Sequence, residues 1–182
     1  MLDDAERWDS RYSGRVTGHP SAPVGLDGVS LPEHGLCLDV ACGLGEQSLW
    51  AALNGFDVIA LDVSPLAIGA LQAAAQERNL ADRIDARVAD LDDGLPRDLE
   101  GRCALVICQR FRDPRLYPAL VAAATPGGLV VVTVLSVVGA ESAGPFHAPP
   151  GELESAFRGL PVEVLRIDEG DGAATLVARR IR

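Results

Sequence analysis

Apolar positions fall in short continuous runs that alternate with segments of helical spacing. The runs at 36–40, 56–61, 84–88, 103–108 and 129–135 read as strands; 103–108 is nearly all apolar, hence central, and 129–135 is β-branched and buried on both faces. Between them, 46–54 carries Leu49, Ala52 and Leu53 at helical spacing and stops at Gly55, a residue suited to the position after a helix. Ser64-Pro65 supplies an N-cap followed by proline at the first helical position, and Leu66, Ala70, Leu71 and Ala74 form the buried stripe of a helix ending near Asn79. Asp113-Pro114 and Tyr117-Pro118 both offer a start for the next helix, which ends before Pro126-Gly127-Gly128. A short helix over 151–157 stops at Gly159, and 162–167 with 174–178, joined across Glu169-Gly170-Asp171-Gly172, predict a closing hairpin. Asp3 or Asp4 caps a helix over 5–12, and 13–28, rich in Gly, Pro and Ser, predicts a mobile connection. Residues 1–35 thus read as a helix and arm and 36–182 as one domain; either the arm folds over a ligand as a lid, or Trp8 and Tyr12 simply dock on the core. Such alternation predicts an α/β protein: an open, doubly wound parallel sheet with right-handed crossovers, to which the hairpin adds an antiparallel strand.

Composition narrows the partners. At 182 residues and 48% apolar, the chain is of a size for one domain that buries roughly 70% of its unfolded surface. A net charge of -10 argues against DNA, RNA or an anionic membrane. All 16 basic residues are arginine, which removes Schiff-base chemistry and the P-loop lysine. The acidic start Met1-Leu2-Asp3-Asp4 leads into no apolar run, so no signal peptide is expected, and the run 128–140 is too short to span a bilayer. Cys37, Cys42, Cys103 and Cys108 show no C-x-x-C spacing; they read as small buried thiols in a reducing cytoplasm, with no metal site expected.

The stretch Leu36-Cys37-Leu38-Asp39-Val40-Ala41-Cys42-Gly43-Leu44-Gly45-Glu46-Gln47 is where chemistry enters. Strand, glycine turn and helix start in that order describe the first crossover of a nucleotide-binding sheet. A dinucleotide fingerprint wants glycine or alanine where Ser48 stands, and Asp39 at the strand end would repel a pyrophosphate. An acid there suits an ammonium group, which S-adenosylmethionine carries beside its sulfonium. The next two strands also deliver acids, Asp62 and Asp90, to the edge where such sheets bind ligands. Carboxylates only accept hydrogen bonds, so Asp62 fits ribose hydroxyls, Asp90 the adenine amine with the Leu91 N–H on the ring, and Asp39 the methionine ammonium, directly or through water.

With these residues the chain resembles the class I S-adenosylmethionine-dependent methyltransferases, and within them the tellurite-resistance and thiopurine methyltransferase-like group. Gly45-Glu46-Gln47-Ser48-Leu49-Trp50, the run from Asn54 to Asp62, Ala89-Asp90-Leu91, Pro126-Gly127-Gly128, and Gly144-Pro145-Phe146 followed by Gly151-Glu152-Leu153 carry the likeness. The resemblance implies a Rossmann-like seven-stranded sheet of order 3-2-1-4-5-7-6, strand 7 antiparallel, with helices on both faces. It also implies a cofactor set of Asp39, Ala41, Gly43, Gly45, Asp62, Val63, Asp90, Leu91 and Gln109.

The methyl acceptor is read from departures. Gln109-Arg110-Phe111-Arg112 follows the fourth strand, in place of the Asn- or Asp-Pro-Pro-aromatic run of amino-methylating enzymes or the Asp of metal-dependent O-methyltransferases. Glu169-Gly170-Asp171-Gly172-Ala173-Ala174 lacks the His and Arg of the tellurite branch, so tellurite itself is disfavoured and a small thiol, oxyanion or acid is expected. His19 and His147 are candidate bases and Arg110 or Arg112 candidate anion holders; each also reads as a surface or structural residue, as does His34 before the first strand. A non-catalytic S-adenosylmethionine-binding regulatory module and a nicotinamide-dependent oxidoreductase remain as rivals. Oligomeric state is not legible.

Overall fold

The computed structural model describes residues 2–182. Its elements are α1 (Leu2–Tyr12), β1 (Gly35–Val40), α2 (Glu46–Leu53), β2 (Phe56–Asp62), α3 (Pro65–Glu77), β3 (Ile84–Val88), β4 (Cys103–Gln109), α4 (Tyr117–Ala123), β5 (Ala124–Leu135), α5 (Glu152–Phe157), β6 (Val162–Gly170) and β7 (Ala173–Arg180). The seven strands form one sheet in the order β3-β2-β1-β4-β5-β7-β6, with β7 antiparallel to β5 and β6. This is the expected doubly wound order. The chain gathers into two units, Met1–Ala22 with Glu33–Gly94 and Pro23–Pro32 with Leu95–Arg182.

In the first unit, β1 and β3 both run parallel to β2, whose side chains are buried on both faces apart from Asp57. Ser64 caps α3 by accepting the Ala67 N–H at 3.1 Å, ahead of Pro65. The buried stripe of α3 is Ala67, Ile68, Leu71, Ala74 and Ala75, whereas Leu66 is 49% exposed. A helix this rich in alanine has little to fix its phase, and burial of Ile68 with Leu71 decides it. The N-terminal helix starts at Leu2, so Asp4 lies in its first turn, paired with Arg7 at 2.6 Å, instead of capping it. Acids in a first turn are favoured by the helix dipole, which lets the helix extend past the expected cap. The side chain of Asp3 lies outside the described residues.

In the second unit, β4 and the 129–134 stretch of β5 are buried on both faces, as their unbroken apolar runs require. Strand β5 begins earlier than expected because a register shift between Cys103 and Leu105 absorbs Pro126-Gly127-Gly128 within it. Helix α4 starts at Tyr117; Asp113-Pro114 instead makes a turn, with the Leu116 N–H on the Asp113 carbonyl at 3.0 Å. The hairpin closes on Asp171 and Gly172, both at positive φ, as a two-residue turn of opposite twist demands. Edge strand β6 is largely exposed and carries Glu163, Arg166, Asp168 and Glu169, charges that discourage further pairing.

Candidate functional site

After β1 the chain leaves the sheet through Ala41, Gly43 and Gly45, with φ of 55°, 54° and 85°. Two of these left-handed positions carry glycine for a second reason. A Cβ on Gly43 would stand 2.9 Å from the Tyr12 hydroxyl, and one on Gly45 would stand 2.4 Å from Leu71 Cδ1. Ala41 takes the same region with a side chain, a strained geometry of the kind found where backbone approaches ligands.

The loop is tied to the second strand. The Gly43 N–H donates to Asp62 Oδ2 at 2.8 Å, and the Ser64 N–H donates to Asp62 Oδ1 at 2.9 Å. Each oxygen keeps a lone pair for a further donor. Asp62 is buried and its pKa is pushed up by that burial, against the opposing pull of the Ser64 and Gly43 N–H groups. Beneath the loop, Asp39 is 2% exposed and accepts a 2.5 Å hydrogen bond from the Ser48 hydroxyl. Burial lifts its pKa to about 7, with Ser48 pulling the other way. Ser48 is thus the partner that makes a buried aspartate tolerable there. Val63 follows Asp62 half-buried, and after β3 Asp90 accepts the Asp92 N–H at 3.0 Å while Leu91 is buried.

The N-terminal segment lies along the same loop. Trp8 and Tyr12 stack at 5.7 Å, and burial together with the Asp62 charge pushes the Tyr12 phenol to about 12. Asp9 accepts the Ser64 hydroxyl at 2.5 Å and the Leu66 N–H at 3.3 Å, which docks α1 on the start of α3. Thr17 donates to the Leu44 carbonyl at 2.7 Å, the Gly18 N–H to Glu46 Oε1 at 3.3 Å and the Ser21 N–H to the Glu46 carbonyl at 3.2 Å. Tyr12 thus stands beside Gly43, and Thr17, Gly18 and Ser21 add contacts to the same loop.

Asp39, Ala41, Gly43, Gly45, Asp62, Val63, Asp90 and Leu91 all belong to the first unit, as does His19, which is exposed. Gln109, Arg110, Arg112 and His147 belong to the second. There Arg112 makes a forked pair with Glu152, Nη2 to Oε2 at 2.5 Å, and Tyr117 donates to Glu152 Oε1 at 3.1 Å, so this arginine ties α5 to the β4–α4 connection. Asp113 is taken by Arg115 instead. Arg110 is exposed at φ 60°, and His147 Nδ1 accepts the Gly144 N–H at 3.0 Å. Gln109 Oε1 accepts the Val24 N–H at 3.1 Å.

Three partners escaped the sequence reading: Ser48, Asp9 and Glu152. Only Asp9 had a signal, since it lies one residue after Trp8 on a helix whose i, i+4 pair Trp8 and Tyr12 faces inward. Among the described residues no cluster of three or more His, Cys, Asp or Glu side chains is arranged to hold a metal ion, and no helix is long and apolar enough to cross a membrane.

The profile of a family described as a methyltransferase domain matches residues 37–128. Among curated proteins none matches the chain. Similar solved structures include geranyl diphosphate C-methyltransferase from Streptomyces coelicolor A3(2), crystallised with Mg2+, geranyl diphosphate and S-adenosyl-L-homocysteine (13% identity, 98% of this chain and 97% of that one, TM-score 0.73). TehB from Haemophilus influenzae is similar at 18% identity, over 97% of this chain and 66% of that one, with a TM-score of 0.68. These two likenesses speak for the fold. A third structure concerns conversion of a disulfide bond into a thioacetal group during echinomycin biosynthesis; it is 25% identical over 97% of this chain and 92% of that one, with a TM-score of 0.70.

Proposed function

The chain belongs to the methyltransferase-domain family, and from that premise we propose that it transfers a methyl group from S-adenosylmethionine to a small-molecule acceptor, a sulfur nucleophile foremost. The observation that carries the reading is the tie from the Gly43 N–H to Asp62, which sets a glycine loop and a buried carboxylate on one edge, with Asp39 below the loop and Asp90 after β3. This donor set fits an adenosyl ligand. Asp62 would take the ribose hydroxyls, Asp90 and the Leu91 N–H the adenine, and Ala41, Gly43 and Gly45 would line the methionine portion. Val63, half-buried directly after Asp62, would complete the set within this unit. Asp39 would favour an ammonium group through water, since it is almost fully buried. When bound, S-adenosylmethionine supplies a methyl group already activated by its sulfonium. The chain's own task is then to orient the acceptor and exclude water. The segment from α1 to Ser21 would act as the lid over the loop it already contacts.

The sulfur preference rests on how the acids and His147 are already engaged, His19 being the exposed exception. Asp39 is bonded to Ser48, Asp62 to two N–H groups, Glu152 to Arg112 and Tyr117, and His147 Nδ1 to the Gly144 N–H. Such commitments suit an acceptor that ionises readily, and the 25% identical structure named for disulfide chemistry supports the same class. Four free buried cysteines accord with a reducing cytoplasm.

Calorimetry with S-adenosylhomocysteine tests the site. Asp62→Ala loses charged hydrogen bonds of about 1.5–3 kcal/mol each and should bind at least ~10-fold more weakly. Wild-type affinity in that variant would remove the assignment. Turnover to S-adenosylhomocysteine on a panel of thiols, oxyanions and small phenols tests the acceptor; binding without turnover across the panel would favour a regulatory module.

A further inference from the structure

The second unit holds a row of polar side chains inside an otherwise apolar sheet. Gln109, the last residue of β4, is in register with Thr133 of β5, and Thr133 is in register with Thr175 of β7. Residues in register point to the same face of a sheet, so the three side chains stand side by side. Both threonines are 5% exposed, and their hydroxyls are 3.0 Å apart. One hydroxyl of such a pair donates to the other, and the proton of the receiving one stays available.

The segment Pro23–Pro32 crosses this face. A Cβ on Gly25 would stand 2.6 Å from Thr175 Cγ2, so only glycine fits there, and the neighbouring Val24 N–H donates to Gln109 Oε1. That bond fixes the amide: its oxygen must face the Val24 N–H, and its NH2 must face away from it. Gln109 Nε2 is buried and has no hydrogen-bond partner among the described residues. A buried donor left unpaired is costly, and native proteins keep such groups where a ligand or water completes them.

The end of β4 lies at the carboxyl edge of parallel strands, where α/β sheets bind ligands. We propose that the Gln109 amide, backed by the Thr133–Thr175 hydroxyl pair, is the donor site for a carbonyl or carboxylate oxygen of the methyl acceptor. The inference rests on the methyltransferase reading and deepens it, because it names a second functional group that the acceptor carries beside its methylated atom. An amide N–H is a poor neighbour for a sulfonium or an ammonium, and this assigns its free donor to the acceptor. The bond to Val24 gives the same side chain a second task, holding the strap across the row.

The test uses 15N-labelled protein loaded with S-adenosylhomocysteine and two thiols, 2-mercaptobenzoate with a carboxylate and thiophenol without one. The Gln109 side-chain amide signal is identified by its loss in Gln109→Met. It should shift on addition of 2-mercaptobenzoate and stay in place with thiophenol. Gln109→Glu keeps an oxygen for the Val24 N–H and replaces the donor by a second acceptor; at pH 8 it should bind 2-mercaptobenzoate at least ~10-fold more weakly, with S-adenosylhomocysteine affinity unchanged. Thr133→Val should show a smaller loss in the same direction. An amide signal that neither thiol moves, or Gln109→Glu binding 2-mercaptobenzoate like wild type, overturns the inference alone. Failure of S-adenosylhomocysteine to bind the wild-type protein overturns the methyltransferase reading on which it stands.

Discussion

Asp39 shows how much a single position can say and where its sequence falls silent. Its place at the end of β1 was legible as an acid unfriendly to phosphate. Its pairing with Ser48 was not, because the intervening loop and helix start had to be folded before the two side chains met. Ser48 read only as a departure from another fingerprint. The pair has a consequence for pH. Burial holds the Asp39 carboxyl at about 7, whereas the unfolded chain releases that proton near pH 4. Between those values the native state keeps a proton that the unfolded state has lost. The contribution of this group to stability therefore falls as pH rises from about 4 to about 7 and is level above that. Asp39→Asn cannot titrate and still offers an oxygen to Ser48. Its stability should gain on wild type by on the order of 2 kcal/mol between pH 5 and pH 8, read from denaturant unfolding at both pH values. Parallel stability curves for the two proteins would show that Asp39 ionises normally in the fold.

At the scale of elements, strands were easier to read than helix phases. An unbroken apolar run such as 103–108 has one way to be buried, in the middle of a sheet, and there it lies. The alanine-rich α3 has several nearly equivalent faces, so its spacing points to Leu66 where the fold buries Ile68 instead. Asp113-Pro114 and Tyr117-Pro118 are equal starts for α4 by sequence, and the local Asp113–Arg115 bonds decide for Tyr117. Docking of α1 was one of two readings open for Trp8 and Tyr12, but its tie to α3 was not legible, since Asp9 and Ser64 are far apart in sequence. Asp9 takes both the Ser64 hydroxyl and the Leu66 N–H, so Asp9→Ala should cost α1 about 1–2 kcal/mol of local stability. Trypsin cleavage at the exposed Arg11 and Arg15 should then run roughly tenfold faster than in wild type, with the core intact. If the segment also closes over the cofactor, S-adenosylhomocysteine should slow cleavage of the wild-type protein. Equal cleavage rates in both proteins would mean that α1 is held by other contacts.

Over the whole molecule, the class of fold was the most legible property. Buried runs alternating with helical segments admit few topologies once crossovers must be right-handed, and the observed order is the one the family resemblance implies. A composition of -10 charge and no lysine excluded partners but named none. The choice between an adenosyl and a nicotinamide ligand rested on Asp39 and Ser48, and the folded arrangement gives it a global test. A ligand that binds only the native state stabilises it by RT ln(1 + [L]/Kd), about 2.7 kcal/mol at a hundred times Kd. For a domain of this size each kcal/mol moves the melting midpoint by roughly 2–4 °C. S-adenosylhomocysteine at that excess should therefore raise Tm by about 5–11 °C, and the rise should continue with the logarithm of its concentration. NADH carries a pyrophosphate, for which the strand end beside Gly43 offers two buried carboxylates, Asp39 and Asp62, and it should leave Tm unchanged at the same concentration. In Asp62→Ala the shift by S-adenosylhomocysteine at fixed concentration should shrink by at least about 1.4 kcal/mol in equivalent stability, matching a tenfold loss of affinity. A shift by NADH with none by S-adenosylhomocysteine would reverse the assignment of the site.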